Sequence, residues 1–196
     1  MKNGECRMVN KNRPRSGMVV TCLIIIAAIL YTRFLFDTGN NEPVHLPEGL
    51  NPIVAERTEQ LIQQTNSKGI EILITDDFRS FEEQDQLYAK GRTVEGAIVT
   101  HAQGGESFHN FGLAIDFAIV TKTKDVSWDM EYDGNGNGES DWMEVVNIAK
   151  GLGFKWGGDW QHFKDYPHLQ MDFGLSIRDL QNGKTPSESV LNASNP

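Results

Sequence analysis

The segment SFHNFGLAIDFAIV, residues 107–120, decides how the chain folds. Leu113, Ile115, Phe117 and Ile119 alternate with Gly112, Ala114, Asp116 and Ala118, the two-residue period of a strand with two unlike faces. One face is large and apolar and must be covered. The other carries glycine and alanine around a single aspartate, with His109 just before the strand. Small neighbours leave room beside Asp116, where an ordinary core strand would fill both faces with larger side chains.

Working outward, Asn51 and Pro52 read as an N-cap and first-turn proline, and Val54, Leu61, Ile62 and Thr65 mark one side of a helix ending at Gly69. IEILITD, residues 70–76, reads as a buried strand. Ser80 and Glu83 stand at capping-box spacing before Leu87 and Tyr88, with Gly91 closing the helix. A further helix is predicted from Trp142 to about Lys150, with Asp141 and Glu144 in capping positions. FKWGGDW and PHLQMDF then read as short strands. Without a regular βαβ alternation, the class is α+β, a small and mainly antiparallel sheet with helices packed around it.

The ends differ from this middle. Residues 1–36 join Lys2, Arg7, Lys11, Arg13 and Arg15 to an apolar run from Met18 to Tyr31, the pattern of a signal peptide or membrane anchor. No A-x-A cleavage site follows, which favours retention and puts the rest of the chain outside the membrane, or secreted to the wall if the segment is cut. Residues 37–50 suit a linker, 51–175 the domain, and 176–196 a flexible tail. Of 18 basic and 27 acidic residues, the first 36 positions hold six and one, leaving 12 against 26 in the remainder. So acidic a surface argues against nucleic acid, which is bound by neutralising phosphates. The two cysteines, Cys6 and Cys22, both precede the domain, so no disulfide framework exists in it.

Catalytic zinc takes three ligands from His, Asp, Glu or Cys and keeps one position for water. His109, Asp116 and His168 could supply three if the strand bearing His168 lies beside the strand bearing Asp116. The alternative is a loop histidine, a half-exposed aspartate and an unrelated second histidine. Periodicity leaves both readings open.

The pattern Ser107-x-His109-x-x-Gly112-x-Ala114-x-Asp116, followed by Asp165-x-x-His168, resembles the zinc metallopeptidases of the D-alanyl-D-alanine carboxypeptidase family. FRSFEEQDQLY, GGESFHNFGLAIDFA and WGGDWQHFKDYPHLQM look most like its peptidoglycan L-alanyl-D-glutamate endopeptidase branch. The resemblance implies that His109, Asp116 and His168 hold zinc, that Asp165 is the general base, and that Arg79 stabilises the developing oxyanion. It further implies that Gln84 and Ser107 help to place substrate. Peptidoglycan stem peptides would be the partner, and the chain is expected to act as a monomer.

DGNGNGESDWME, residues 133–144, separately fits the calcium-loop pattern D-x-[DN]-x-[DN]-G-x5-E. Asp133, Asn135, Asn137 and Glu144 take positions one, three, five and twelve, with the Glu139 carbonyl at seven and Asp141 at nine. Ser140 departs from the usual apolar eighth residue, and no second loop pairs with it. The expected role is a stabilising or activating Ca2+ site beside the zinc. Rival readings are the same chemistry on a D-alanyl-D-alanine bond, and a metal-stabilised wall-binding domain without catalysis.

Overall fold

The computed structural model describes residues 47–186. Five antiparallel strands form its sheet: β1 (Glu71–Asp76), β2 (Ala114–Val120), β3 (Val126–Ser127), β4 (Lys155–Trp156) and β5 (His168–Gln170). Their order is β1-β2-β5-β4, with β3 paired to the far end of β2. Four α-helices accompany them: α1 (Pro52–Ser67), α2 (Phe81–Ala89), α3 (Asp141–Gly151) and α4 (Ile177–Gln181). A short 3-10 turn, Phe108–Phe111, leads into β2. Among the described residues no helix is long and apolar enough to cross a membrane. The apolar run Met18–Tyr31 lies outside them.

The alternation in β2 works as its side chains require. Ile115, Phe117 and Ile119 are fully buried in a core shared with Val54 and Leu61 of α1 and Trp142, Val145 and Val146 of α3. The Phe117 and Trp142 rings meet with centroids 4.5 Å apart. Burying each such side chain stabilises the fold by roughly 1.5–3 kcal/mol. With the helices on that face, the opposite face of β2 is left for Ala114, Asp116 and Ala118. Pairing of β2 with β5 sets Asp116 directly against His168 and Ala114 against Gln170.

Three local expectations are corrected. β1 is an edge strand, not a fully buried one: Ile72 faces the core while Leu73 is 44% exposed. An apolar run cannot by itself tell a central strand from an edge strand with one covered face. At α3 the N-cap is Ser140, whose hydroxyl accepts from Met143 N, and Asp141 lies in the first turn. Asp141 is drawn inward instead, accepting from Gly134 N at 3.0 Å and Asn135 N at 3.4 Å. In FKWGGDW only Lys155 and Trp156 are strand, and Gly157–Asp159 turn as a 3-10 helix.

The segment after Ser176, expected as a flexible tail, carries the short helix α4 and is described through residue 186. Ser176 and Asp179 form a capping box for α4, Leu180 is buried, and Lys184 pairs with Asp179 at 2.6 Å. The Gln181 side chain donates to Gly105 O at 3.0 Å, tying α4 to the loop before His109. A polar composition hid one buried leucine and a cap, which suffice to seat a single helical turn. Residues 187–196 lie outside the described part.

Candidate active site

A β-bulge prepares the rim of the site. Ile74 pairs with Phe117, but the next partner of Asp116 is Asp76, so β1 carries one extra residue there. Bulges of this kind re-aim side chains beside functional sites. Here it carries the end of β1 to the edge where Asp116 stands. Asp76 forms an ion pair with Arg79, whose other guanidinium nitrogen donates to Gln84 Oε1 at 2.7 Å.

His109 is held from three directions. Ser107 caps its turn, Asn110 closes a reciprocal capping box, and the Asn110 amide donates to Arg79 O at 2.9 Å. The turn ends at Gly112 in a left-handed conformation, φ 66°, where a Cβ would lie 2.3 Å from Gly49 O. Only glycine fits, and its carbonyl accepts from Asn51 N at the start of α1. Gly157 meets a similar demand: a Cβ there would lie 2.3 Å from Asp165 O. Backbone bonds from Asp165 N to Gly157 O and from His168 N to Asp165 O hold the DYPH segment against that glycine.

These elements bring His109, Asp116 and His168 together. His109 Nε2 lies 3.2 Å from His168 Nδ1, and each of those nitrogens lies 3.3 Å from Asp116 Oδ1. The three donors form a nearly equilateral triangle. An ion bound at about 2.0–2.1 Å to each of three donors in tetrahedral geometry would separate them by about 3.3 Å. Asp116 Oδ1 is buried and takes no well-formed hydrogen bond, with only the two imidazole nitrogens beside it, an arrangement that costs free energy unless something positive meets it. Two imidazoles and one carboxylate with that spacing fit zinc, and nitrogen donors disfavour the oxygen-seeking calcium and magnesium. Among the described residues no other group of His, Cys, Asp and Glu converges in this way.

Burial tends to raise the Asp116 pKa, but the two imidazoles outweigh it and hold the carboxyl far below its usual range. Burial tends to lower that of His109, yet the adjoining Asp116 carboxylate leaves it raised. Asp165 is pushed up, first by burial, with the Asp116 charge adding to it and His168, His109 and Arg79 acting against it. That contrast leaves one carboxyl ionised and the other suited to exchanging a proton.

The triad sits in a cleft of about 1040 Å³ whose lining includes Arg79, Ser107, Asp165, Trp160, His101 and Phe163. Arg79, Asp165 and Ser107 all line this cleft. Gln84 does not touch the cleft. It is fully buried, accepting from Arg79 and donating to Ala102 O at 2.8 Å and Thr100 Oγ1 at 3.3 Å. From there it holds Arg79 and the Thr100–Ala102 stretch of the cleft wall. The ring centroid of Trp160 lies 5.1 Å from that of His168. His101 and His162, which match no ligand position, both line the cleft, and His101 meets Phe163 edge-on at 5.9 Å. Sequence reading missed Asp76 and Gln170, whose contacts depend on strand register.

In loop 133–144 the expected calcium ligands are engaged with the protein itself. Asp133 accepts from the backbone of Gly136, Asn137 and Gly138, and Glu144 accepts from Lys68 Nζ and the amides of Asn135 and Asn137, each at 2.8 Å. Against the effect of burial, these donors hold the Glu144 pKa below its usual value. Glu139 is exposed, with its amide donating to Asn137 Oδ1 at 2.8 Å.

An open cleft over three convergent metal donors, with a carboxyl and a guanidinium at its wall, defines a metal-dependent hydrolase. The sequence profile described as D-alanyl-D-alanine carboxypeptidase matches residues 100–171. The chain is 52% identical over 163 residues to the peptidoglycan L-alanyl-D-glutamate endopeptidase CwlK of Bacillus subtilis, spanning 82% of this chain and 98% of that protein. It is 35% identical over 131 residues to the L-alanyl-D-glutamate peptidase of Listeria phage A118, of which the match spans 41%. The chain belongs to the D-alanyl-D-alanine carboxypeptidase family of metallopeptidases. Among solved structures, the Serratia marcescens L-Ala D-Glu endopeptidase ChiX aligns at 22% identity over 71% of this chain and 86% of that one, with a TM-score of 0.45.

Proposed function

We propose that this chain is a zinc endopeptidase that hydrolyses the L-alanyl-D-glutamate bond in the stem peptides of peptidoglycan. The observation that carries the chemistry is the triangle formed by His109 Nε2, His168 Nδ1 and the buried Asp116 Oδ1. The likeness to the Bacillus subtilis endopeptidase across nearly all of its length supports the choice of bond.

When bound, zinc supplies a water of lowered pKa and polarises the scissile carbonyl. Asp165, its carboxyl pushed above the usual range by burial, takes the proton of the attacking water and returns it to the leaving amine. Arg79, held by Asp76 and Gln84, offers a fixed cationic donor to the carbonyl oxygen as it gains charge. Ser107 borders the same space and orients the His109 turn.

The test is mass spectrometry of purified peptidoglycan after digestion. Peptides with a new amino-terminal D-glutamate are expected, whereas release of D-alanine would place the cut elsewhere. Asp165→Asn should lower turnover by about 10²–10⁴-fold with wall binding retained. Unchanged cleavage by both Asp165→Asn and His109→Ala would defeat the reading.

Loop 133–144 is proposed to bind calcium as a separate stabilising ion. Support comes from its ligand spacing and from the buried Glu144, where calcium would take over the place of the Lys68 ammonium. No change in the melting temperature of zinc-loaded protein from micromolar to millimolar calcium would count against it. The proposed location is outside the cytoplasmic membrane, supported by the basic start and apolar run of residues 1–36. Fractionation of cells expressing the whole chain, against one lacking those residues, tests this.

A further inference from the structure

The two histidines of the triad present different nitrogens to its centre. His109 faces inward with Nε2, while its Nδ1 lies 2.6 Å from Asp77 O. A backbone carbonyl can only accept, so it holds the proton on Nδ1 and leaves Nε2 with a free lone pair. His168 is turned the other way: Nδ1 faces inward, and Nε2 lies 3.0 Å from the side-chain amide of Gln170. An amide has both an acceptor and a donor end, so this ring is not governed by the main chain. Asp116 Oδ1 lies 3.3 Å from Nδ1 and competes for the ring proton, and the orientation of the Gln170 amide decides whether Nε2 has an acceptor of its own.

We propose that Gln170 is the positioning residue for the third metal ligand: its Oε1 accepts the Nε2–H of His168 and so fixes the tautomer that offers Nδ1 to zinc. The register provides the means. Residues 168 and 170 lie two apart on β5 and therefore on one face, and β2 and β4 pair with Gln170 on both sides. Gln170 is buried beside the buried His168, and the Trp160 ring lies near the imidazole. With Gln170 presenting its oxygen, the inward side of the triad holds two lone pairs and one carboxylate. With its amide reversed, the proton would move to Nδ1 and occupy the space between the three donors. Partners that accept from a ligating histidine commonly contribute about 10–100-fold to metal affinity.

This inference rests on the reading of the triad as a zinc site, and the experiment separates the two. The full chain is stripped of metal, its histidine ring nitrogens are assigned by NMR in alkaline buffer, and zinc affinity is measured by chelator competition. In the unaltered protein His168 should show a protonated Nε2 and a bare Nδ1. Gln170→Met, close in volume but without an acceptor, should lose that single tautomer and weaken zinc binding about 10–100-fold. Gln170→Glu keeps an accepting oxygen and should hold both the tautomer and affinity within about threefold of wild type. Failure of the unaltered protein to bind zinc would sink the site itself. Zinc binding with Nδ1 protonated in the metal-free ring, or a Gln170→Met protein that binds zinc as tightly as wild type, would overturn the role of Gln170 alone. Should Gln170→Met not fold, the wild-type tautomer and Gln170→Glu still decide the question.

Discussion

Gln84 offers the sharpest test of how the fold serves the cleft, because its amide bonds in two directions from a fully buried position. Gln84→Met conserves volume but deletes the acceptor for Arg79 at 2.7 Å and the donor to Ala102 O at 2.8 Å. A bond to a charged group contributes about 1.5–3 kcal/mol and a neutral one about 1 kcal/mol. Part of the loss is offset by the extra apolar surface, so a net destabilisation of about 2–4 kcal/mol is expected. For a domain of this size that corresponds to a fall in Tm of about 5–15 °C. Arg79 would keep Asp76 but lose its second anchor, so its guanidinium would sample positions away from the developing oxyanion. A loss confined to the transition state lowers kcat and leaves KM nearly unchanged, here by about 10–100-fold, or about 1.4–2.8 kcal/mol. Steady-state kinetics on a defined stem peptide, measured well below the variant's Tm, read both constants. Gln84→Glu keeps the acceptor for Arg79 while setting a carboxylate against Ala102 O, so it should lose stability with a smaller effect on kcat. A folded Gln84→Met protein with wild-type kcat would refute the link from Gln84 through Arg79 to catalysis.

Three further outcomes follow from the packing and charges. In metal-free protein the raised His109 contributes stability below its ordinary pKa of about 6.5, lost as pH rises through the folded-state value, and the lowered Asp116 contributes above about 3.9, lost as pH falls. Chelated protein should therefore melt highest between those limits, with the gain from added zinc growing toward alkaline pH; a metal-free Tm that climbs steadily from pH 5 to 8 would contradict this. Gly157→Ala sets a Cβ against Asp165 O and should cut turnover while zinc still binds, which comparing kcat with chelator competition would detect. Leu180→Ala removes the buried anchor of α4 and should cost about 2–4 kcal/mol in denaturant unfolding, and an unchanged midpoint would mean that α4 is not docked in solution.

Much of this architecture is legible in the linear chain. The alternation across residues 113–119 separates a core face from a site face, and Asn51 and Ser80 cap the helices they precede, while the ligands are expected only through the family resemblance of the S-x-H and D-x-x-H patterns. Such features depend on neighbours within a few residues, where backbone geometry alone sets which side chains share a face. Illegible features all depend on partners far along the chain. His109 and His168 meet across 59 residues of sequence because β2 and β5 pair in one register. A one-residue slip would turn Asp116 into the core. The edge position of β1, the bulge that sets Asp76 opposite Asp116, the full burial of Gln84 and the docking of α4 are likewise settled by what covers each segment. The sequence by itself determined the chemistry available and the local elements that carry it. Tertiary structure decided which lone pairs converge, because hydrogen-bond register and burial are properties of pairs of segments that no single segment contains.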